Sequence, residues 1–241
     1  MSHTGMKLAG QRVVVIGGAS GIGFAVAELA HAQGATVIIA SSSETRVRTA
    51  ATRLDGAAAH TVDLRDESSV ARLFEDVGEY HHLAITAGDW SSAMFGSVRD
   101  LDLDQARGLL DVRFWGVLAA VKHGCRSIVQ NGSITLTSGM LAQRPRPGTP
   151  LATAMGGAVE HLTYGLAMDL APIRVNAVSP GLVLTEHVRQ RPERAVQAMV
   201  ASLPIPRGAL PEEAAEAYVY LMLSAYATGQ VLPVDGGGLL V

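Results

Sequence analysis

An open α/β fold built on a parallel sheet is what this sequence predicts, on three observations. Short β-branched runs alternate with longer amphipathic stretches; the clearest of the runs, such as RVVVI and TVIIA, are apolar at consecutive positions rather than at every second residue; and the first passes through a glycine-rich turn straight into a helix. Continuously apolar runs belong to strands buried on both faces, which requires helices on both sides of the sheet. The runs are RVVVI (12–16), TVIIA (36–40), HTV (60–62), HLAIT (82–86), SITLT (133–137), IRVNAVS (173–179) and VLPV (231–234).

The elements follow in order. Residues 1–9 carry no charged head before an apolar core, so they read as a frayed terminus rather than an export signal. Between the first two strands, Ile22, Val26 and Leu29 form a helical stripe that stops at Gln33-Gly34. Near the end, Pro211-Glu212-Glu213 opens a helix whose Ala214, Ala217, Tyr218, Leu221 and Met222 share one face. Residues 184–211, with prolines at 192, 204 and 206, read as short helices and a loop over the sheet edge, a substrate lid inside a single domain spanning 1–241.

Composition bounds the function. With 241 residues, 48% of them hydrophobic and 17% charged, the chain can bury one sizeable core and is not disordered. A net charge of −3 without any basic run gives no electrostatic case for nucleic acid or an anionic membrane. Small molecules are the expected partners. No stretch of about 18 apolar residues is present to span a membrane. The one cysteine, Cys125, excludes an intrachain disulfide and a thiolate-rich zinc site, which fits a reducing cytoplasm.

The turn IGGASGIG (16–23) carries the clearest chemistry. Gly17, Gly21 and Gly23 permit a tight turn, close backbone approach to a pyrophosphate and tight helix packing, with Ala19, Ser20 and Ile22 between them; the helix N-terminus offers free N–H groups and a positive dipole end. At the end of the second strand, where an acid would accept from a ribose 2′-OH, stand Ser41, Ser42 and Ser43, followed by Arg46 and Arg48. Hydroxyls and guanidinium groups suit a 2′-phosphate, so NADP(H) is favoured and NAD(H) possible. The bland alternative makes the serines a helix cap and the arginines a solvated face.

In combination and order, GGASGIG, Asp63-Leu64, ITAG (85–88), RVNAVSPGLVLT (174–185) and TGQVLPVDGGG (228–238) resemble the short-chain dehydrogenase/reductase family along nearly the whole chain. That resemblance implies a Rossmann fold: three α/β/α layers, a seven-stranded parallel sheet in the order 3-2-1-4-5-6-7, and homodimers or homotetramers. It implies that Asp63 and Leu64 hold the adenine, that Ala87 and Gly88, after Thr86, line the adenosine ribose, and that Pro180, Gly181, Val183 and Thr185 flank the nicotinamide.

The family's Asn, Ser, Tyr and Lys are the point of departure. Aligned from the fifth and sixth strands, their positions hold Arg113, Gly139, Ala152 and Gly156, and with lysine only at 7 and 122 no YxxxK exists anywhere. Hydride arriving at a carbonyl carbon leaves charge on oxygen, which needs a donor and then a proton. Alanine and glycine supply neither. Losing one such donor costs about 2.7 to 4 kcal/mol. Arg113 could hold an anionic oxygen, or could merely satisfy helix carbonyls; its pKa makes it a poor proton donor. Ser138 is the other catalytic candidate, with Thr137 and Thr153 nearby. The small residues should open space for water or a bulkier ligand, and Gly156-Gly157 inside a helix calls for compensation. Tyr164 reads as a packing or interface residue.

The remaining candidates are weaker. His81-His82 lacks further ligands at metal spacing, so no metal site is expected. Asp89-Trp90 is a candidate pocket wall, and His187 and Arg189 belong to the lid. Two functions compete: an NADP(H)-dependent oxidoreductase with a non-standard site, better suited to an activated C=C bond than a plain ketone, and a silent NADP(H)-binding sensor or partner protein.

Overall fold

The computed structural model describes residues 7–88 and 94–241. Its strands are β1 (Arg12–Ile16), β2 (Thr36–Ser41), β3 (Ala58–Thr61), β4 (Tyr80–Ile85), β5 (Ile128–Thr137), β6 (Arg174–Pro180) and β7 (Val231–Val234). They form one seven-stranded sheet in the order β3-β2-β1-β4-β5-β6-β7, parallel at every pairing. The order reverses between β1 and β4. In an open α/β sheet that is where the carboxyl ends of the strands splay and a ligand enters.

Two cores sandwich the sheet, because strands buried on both faces need cover on both. On one side lie α3 (Glu67–Val77), α5 (Val117–Gly124) and α6 (Pro150–Asp169), with Leu73, Phe74, Val121 and Val159 packed on Leu83, Ile134 and Leu136. On the other lie α1 (Gly21–Ala32), α2 (Glu44–Ala51) and α9 (Pro211–Leu223), with Val26, Val47, Tyr218 and Leu221 against Val13, Val15 and Ile39. The five residues predicted to share a face of the last helix are all buried. Buried Arg174 of β6 donates to the carbonyls of Leu221, Met222 and Ser224, tying the end of α9 to the sheet.

Two expectations change. The N-terminal segment is not frayed at its end: Leu8 is fully buried and its N–H donates to the Gln33 carbonyl. The third strand begins two residues earlier than read and the fifth five residues earlier. Met168 lies on the outside of α6, 83% exposed, beside half-exposed Tyr164. Between β6 and α9 the chain forms α7 (Glu186–Arg189) and α8 (Glu193–Val200), closed at the base by a Val183–Ala209 bridge. A further short helix among the described residues is α4 (Leu103–Arg107).

Buried His82 of β4 joins Gln11 Oε1 (2.6 Å) to Ser133 Oγ (2.8 Å). Burial first, then the Arg174 and His81 charges, hold its pKa down at about 3. The folded chain therefore leaves this imidazole neutral while the unfolded chain protonates it below its ordinary value of 6.5. Its contribution is complete above that pH and falls by about 1.4 kcal/mol per unit on acidification towards the folded pKa. Urea midpoints measured between pH 7.5 and 5 should fall more steeply for the wild type than for His82→Gln; parallel lines would remove His82 as the cause.

Candidate functional site

The glycine turn is shaped by contact with the end of β4. Gly17 has φ +92°, and a Cβ there would lie 2.6 Å from both the Ala87 nitrogen and Thr86 Oγ1. A Cβ on Gly23 would overlap the Gly17 carbonyl and the Thr86 hydroxyl. The N–H groups of Gly17 and Gly18 both donate to the Ala40 carbonyl, at 2.8 and 3.2 Å. Phe24 N–H starts the helical ladder by donating to the Ser20 carbonyl, so the first-turn donors ahead of it have no helical acceptor. Ser20 caps α1 through its extended backbone, with its hydroxyl outside any capping bond. Ala19 and Ile22 flank this turn and pack on the core beneath it. A bare helix N-terminus behind a loop with no room for side chains is an anion cradle.

Thr86 pins that cradle from below. Its N–H donates to the Ile16 carbonyl at 2.8 Å, and Ala87 N–H shares the same acceptor at 3.2 Å. From the far side, the Thr185 methyl stands 3.1 Å from where a Gly21 Cβ would be, so the chain leaving β6 reaches back over the α1 terminus. Pro180 and Gly181 lead into that crossing, Gly181 packs on Asp235, and Val183 is buried beneath it. Gly17, Gly21, Gly23, Thr86, Ala87 and Thr185 thus come together along one crevice.

At the β2 end the three serines divide. Ser43 caps α2, accepting from the Arg46 N–H at 3.4 Å, so the bland reading is right for it. Ser41 is half-buried at the strand end and Ser42 is exposed. Arg48 is paired with Glu44 at 3.0 Å, while the Arg46 side chain is exposed and makes no ion pair among the described residues. Asp63 is exposed at the end of β3, accepting from the Arg65 N–H at 2.9 Å; Leu64 is buried against Gly116.

The reaction end is built differently from what the spacing alone suggests. Asp111–Gly116 forms a π turn leading into α5, a local widening that sequence periodicity does not announce. From it the Arg113 guanidinium lies across Gly88, with three of its atoms 2.5 to 2.9 Å from where a Cβ would be. Ser138 is buried, and its hydroxyl donates to Glu160 Oε1 at 2.9 Å under α6, with the Gly156 carbonyl at 3.3 Å. Gln143 completes the shell of that carboxylate at 3.1 and 3.2 Å. Beside it Gly139 faces open space, with only the Pro180 carbonyl 4.0 Å from a notional Cβ.

The compensation expected at the glycine pair is found at one of its members. A Cβ on Gly156 would sit 2.9 Å from the Ala142 Cβ in the 3-10 turn Met140–Ala142, whereas Gly157 faces nothing within 4 Å. Ala152 does not front open polar space: it is buried with Met94, Leu109 and Met155. Thr137 accepts from the fully buried Tyr218 hydroxyl at 2.6 Å and donates to the Ile85 carbonyl at 2.7 Å. Burial pushes the Tyr218 phenol up, against smaller opposing effects of Thr137 and the Arg113 charge. Among the described residues no group of three or more His, Cys, Asp or Glu could hold a metal, and no helix is long and apolar enough to cross a membrane. Asp89-Trp90 lies outside the described residues.

A parallel sheet with a switch point, an anion cradle there and a crevice running across the strand ends define a dinucleotide-binding protein of the Rossmann class. The family model described as enoyl-(acyl carrier protein) reductase matches residues 17–238. The short-chain dehydrogenase/reductase malC of Malbranchea aurantiaca is 35% identical, covering 97% of this chain and 96% of that protein. A solved structure described as MalC reductase/Diels-Alderase matches with a TM-score of 0.89 at 35% identity, over 98% of both chains. A small-chain dehydrogenase in complex with NADPH matches with a TM-score of 0.84 at 37% identity, over 96% of this chain and 99% of that one. The chain belongs to the short-chain dehydrogenase/reductase family.

Proposed function

We propose that this protein is an NADP(H)-dependent oxidoreductase whose reaction end works without the family's usual acid. The observation that carries it is a pairing: the cradle is closed around three glycines, while Gly139, Ala152 and Gly156 place no donor beside it and Arg113 brings a guanidinium to its edge at Gly88. The similar structure in complex with NADPH supports the cofactor, as do Ser41, Ser42 and Arg46. When bound, that cofactor supplies or accepts a hydride. In this reading Ala87 and Gly88 line its adenosine ribose, Asp63 and Leu64 its adenine, and Pro180, Gly181, Val183 and Thr185 its nicotinamide.

The chain's own residues then decide the acceptor. Hydride reaching the β-carbon of a conjugated carbonyl leaves the electron pair as an enolate, which a fixed guanidinium steadies until water protonates the α-carbon. A simple ketone would instead leave a localised alkoxide that needs a placed proton. Ser138 serves as a positioning residue, fastening the β5 end to α6 through Glu160. Residues 184–211 act as the lid, and the exposed Trp115, Tyr164 and Met168 on the outer side of the helix layer supply the homo-oligomer contact. A small molecule is the substrate, in a cytoplasmic setting.

The enclosure of Ala152 and the wedge of Ala142 against Gly156 favour the second reading, a silent NADP(H)-binding sensor or partner. One experiment divides the two. NADPH should quench or shift intrinsic fluorescence on binding, more tightly than NADH, and should then be consumed with activated enones but not with simple ketones. Binding without consumption across the panel leaves the sensor; no binding of either nucleotide removes both.

A further inference from the structure

Glu160 is a buried carboxylate whose side-chain partners all come from one segment. It lies on α6, 5% exposed, and among the described residues its oxygens accept only from neutral donors. These are the Ser138 hydroxyl at 2.9 Å and the Gln143 amide, which reaches the two oxygens at 3.2 and 3.1 Å. Burying a carboxylate is costly unless donors meet it, and each bond to a charged acceptor is stronger than one between neutral groups. Both donors belong to the segment 138–143, which leaves β5 on its way to α6. Between them stands the 3-10 turn Met140–Ala142, whose own bonds run from Ala142 N–H to the Gly139 carbonyl and from Gln143 N–H to that of Met140. A turn this short holds itself weakly. Glu160 takes hold of it from both ends. What the turn carries faces the reaction end: Gly139 stands beside the Pro180 carbonyl, the Met140 methyl covers Gly238, and Ala142 meets Gly156.

We propose that Glu160 is a positioning residue for the nicotinamide half of the site: by taking up Ser138 and Gln143 together, it fixes Gly139–Ala142 as the crevice wall beside Pro180. The assignment rests on the NADP(H) reading above, in which Pro180 and Gly181 flank the nicotinamide. It goes further by making one buried carboxylate the point on which the whole turn is set, where Ser138 alone would hold only its first residue. The pyrophosphate cradle and the three serines follow β1 and β2, on the far side of β4 from this turn. The adenosine half of the cofactor is therefore outside its reach.

Two probes separate the halves. Adenosine 2′,5′-bisphosphate carries only the adenosine end, whereas NADPH adds a nicotinamide whose own fluorescence reports its surroundings. In Glu160→Leu, NADPH should bind about 10-fold more weakly and its bound emission should move towards that of the free nucleotide, while adenosine 2′,5′-bisphosphate binds as in the wild type. Gln143→Ala removes the donor at the other end of the turn from a less buried position, and should give the same pattern at an unchanged melting temperature. Glu160→Gln should recover emission and affinity, because an amide still accepts from Ser138 and pairs with Gln143 once the Gln143 amide turns over. Wild-type NADPH emission and affinity in both Glu160→Leu and Gln143→Ala overturn the proposal. So does an equal loss for both probes, which would make Glu160 a support of the fold at large. A wild type that binds neither probe removes the NADP(H) reading and this assignment with it.

Discussion

Replacing Ser41 with aspartate should weaken NADPH binding roughly 100-fold while leaving NADH as tight as in the wild type or tighter. Ser41 ends β2, half-buried, directly before Ser42 and the Ser43 cap of α2. A carboxylate there would face a 2′-phosphate carrying about −1.5 to −2 charge at pH 7. At contact range near a protein surface such repulsion reaches a few kcal/mol, and about 2.7 kcal/mol is a hundredfold in affinity. The same carboxylate accepts from the free 2′-OH of NADH, so the change in preference exceeds the loss alone. Glu44 does not already play this part, because it is held by Arg48 at 3.0 Å. Titrating both nucleotides into wild type and Ser41→Asp measures the ratio. If NADPH affinity is unmoved, the adenosine end does not pass Ser41 and the reading of the three serines is wrong.

The sheet was legible because its signal is local. Each buried strand is a short run whose composition alone marks it, and VLPV and RVVVI carry the bounds found in the structure. The glycine cradle was legible for a related reason: Gly17, Gly21 and Gly23 follow a strand and open a helix, and only glycine fits where the Thr86 hydroxyl and the Gly17 carbonyl crowd in. The reaction end was less legible because its contacts are between elements far apart in sequence. Ala142 meets Gly156 across a turn, Arg113 lies on Gly88, and Tyr218 of α9 hydrogen-bonds Thr137 at the end of β5. Periodicity placed Tyr218 on the buried face of its helix but could not say that its hydroxyl comes out at the strand end. The π turn at Asp111–Gly116 left no mark either, since a one-residue widening shifts a helical pattern without breaking it.

The Ala142–Gly156 contact makes restoring the family's reaction a test of geometry rather than of residue identity. Gly139→Ser, Ala152→Tyr and Gly156→Lys together supply every side chain that the family uses at those three positions, yet the triple variant should gain little ketone reductase activity. A lysine at 156 starts from a Cβ only 2.9 Å from the Ala142 methyl, closer than carbon atoms pack, so α6 or the 3-10 turn must move and the ammonium is displaced with it. At 139 there is no such obstacle, because a serine Cβ meets nothing nearer than the Pro180 carbonyl at 4.0 Å. Adding Ala142→Gly removes the obstructing methyl. The quadruple variant should therefore reduce simple ketones about 10² to 10⁴ times faster than the triple, the range that a placed general acid contributes. Ala152→Tyr must also fit beside Met94, Leu109 and Met155, and overpacking there should lower stability by about 1 to 3 kcal/mol in both variants alike. Following NADPH oxidation with a ketone, alongside thermal midpoints, separates the two effects. Equal rates in the triple and quadruple variants would show that Ala142 is no wedge and that the room at Gly156 does not decide the outcome.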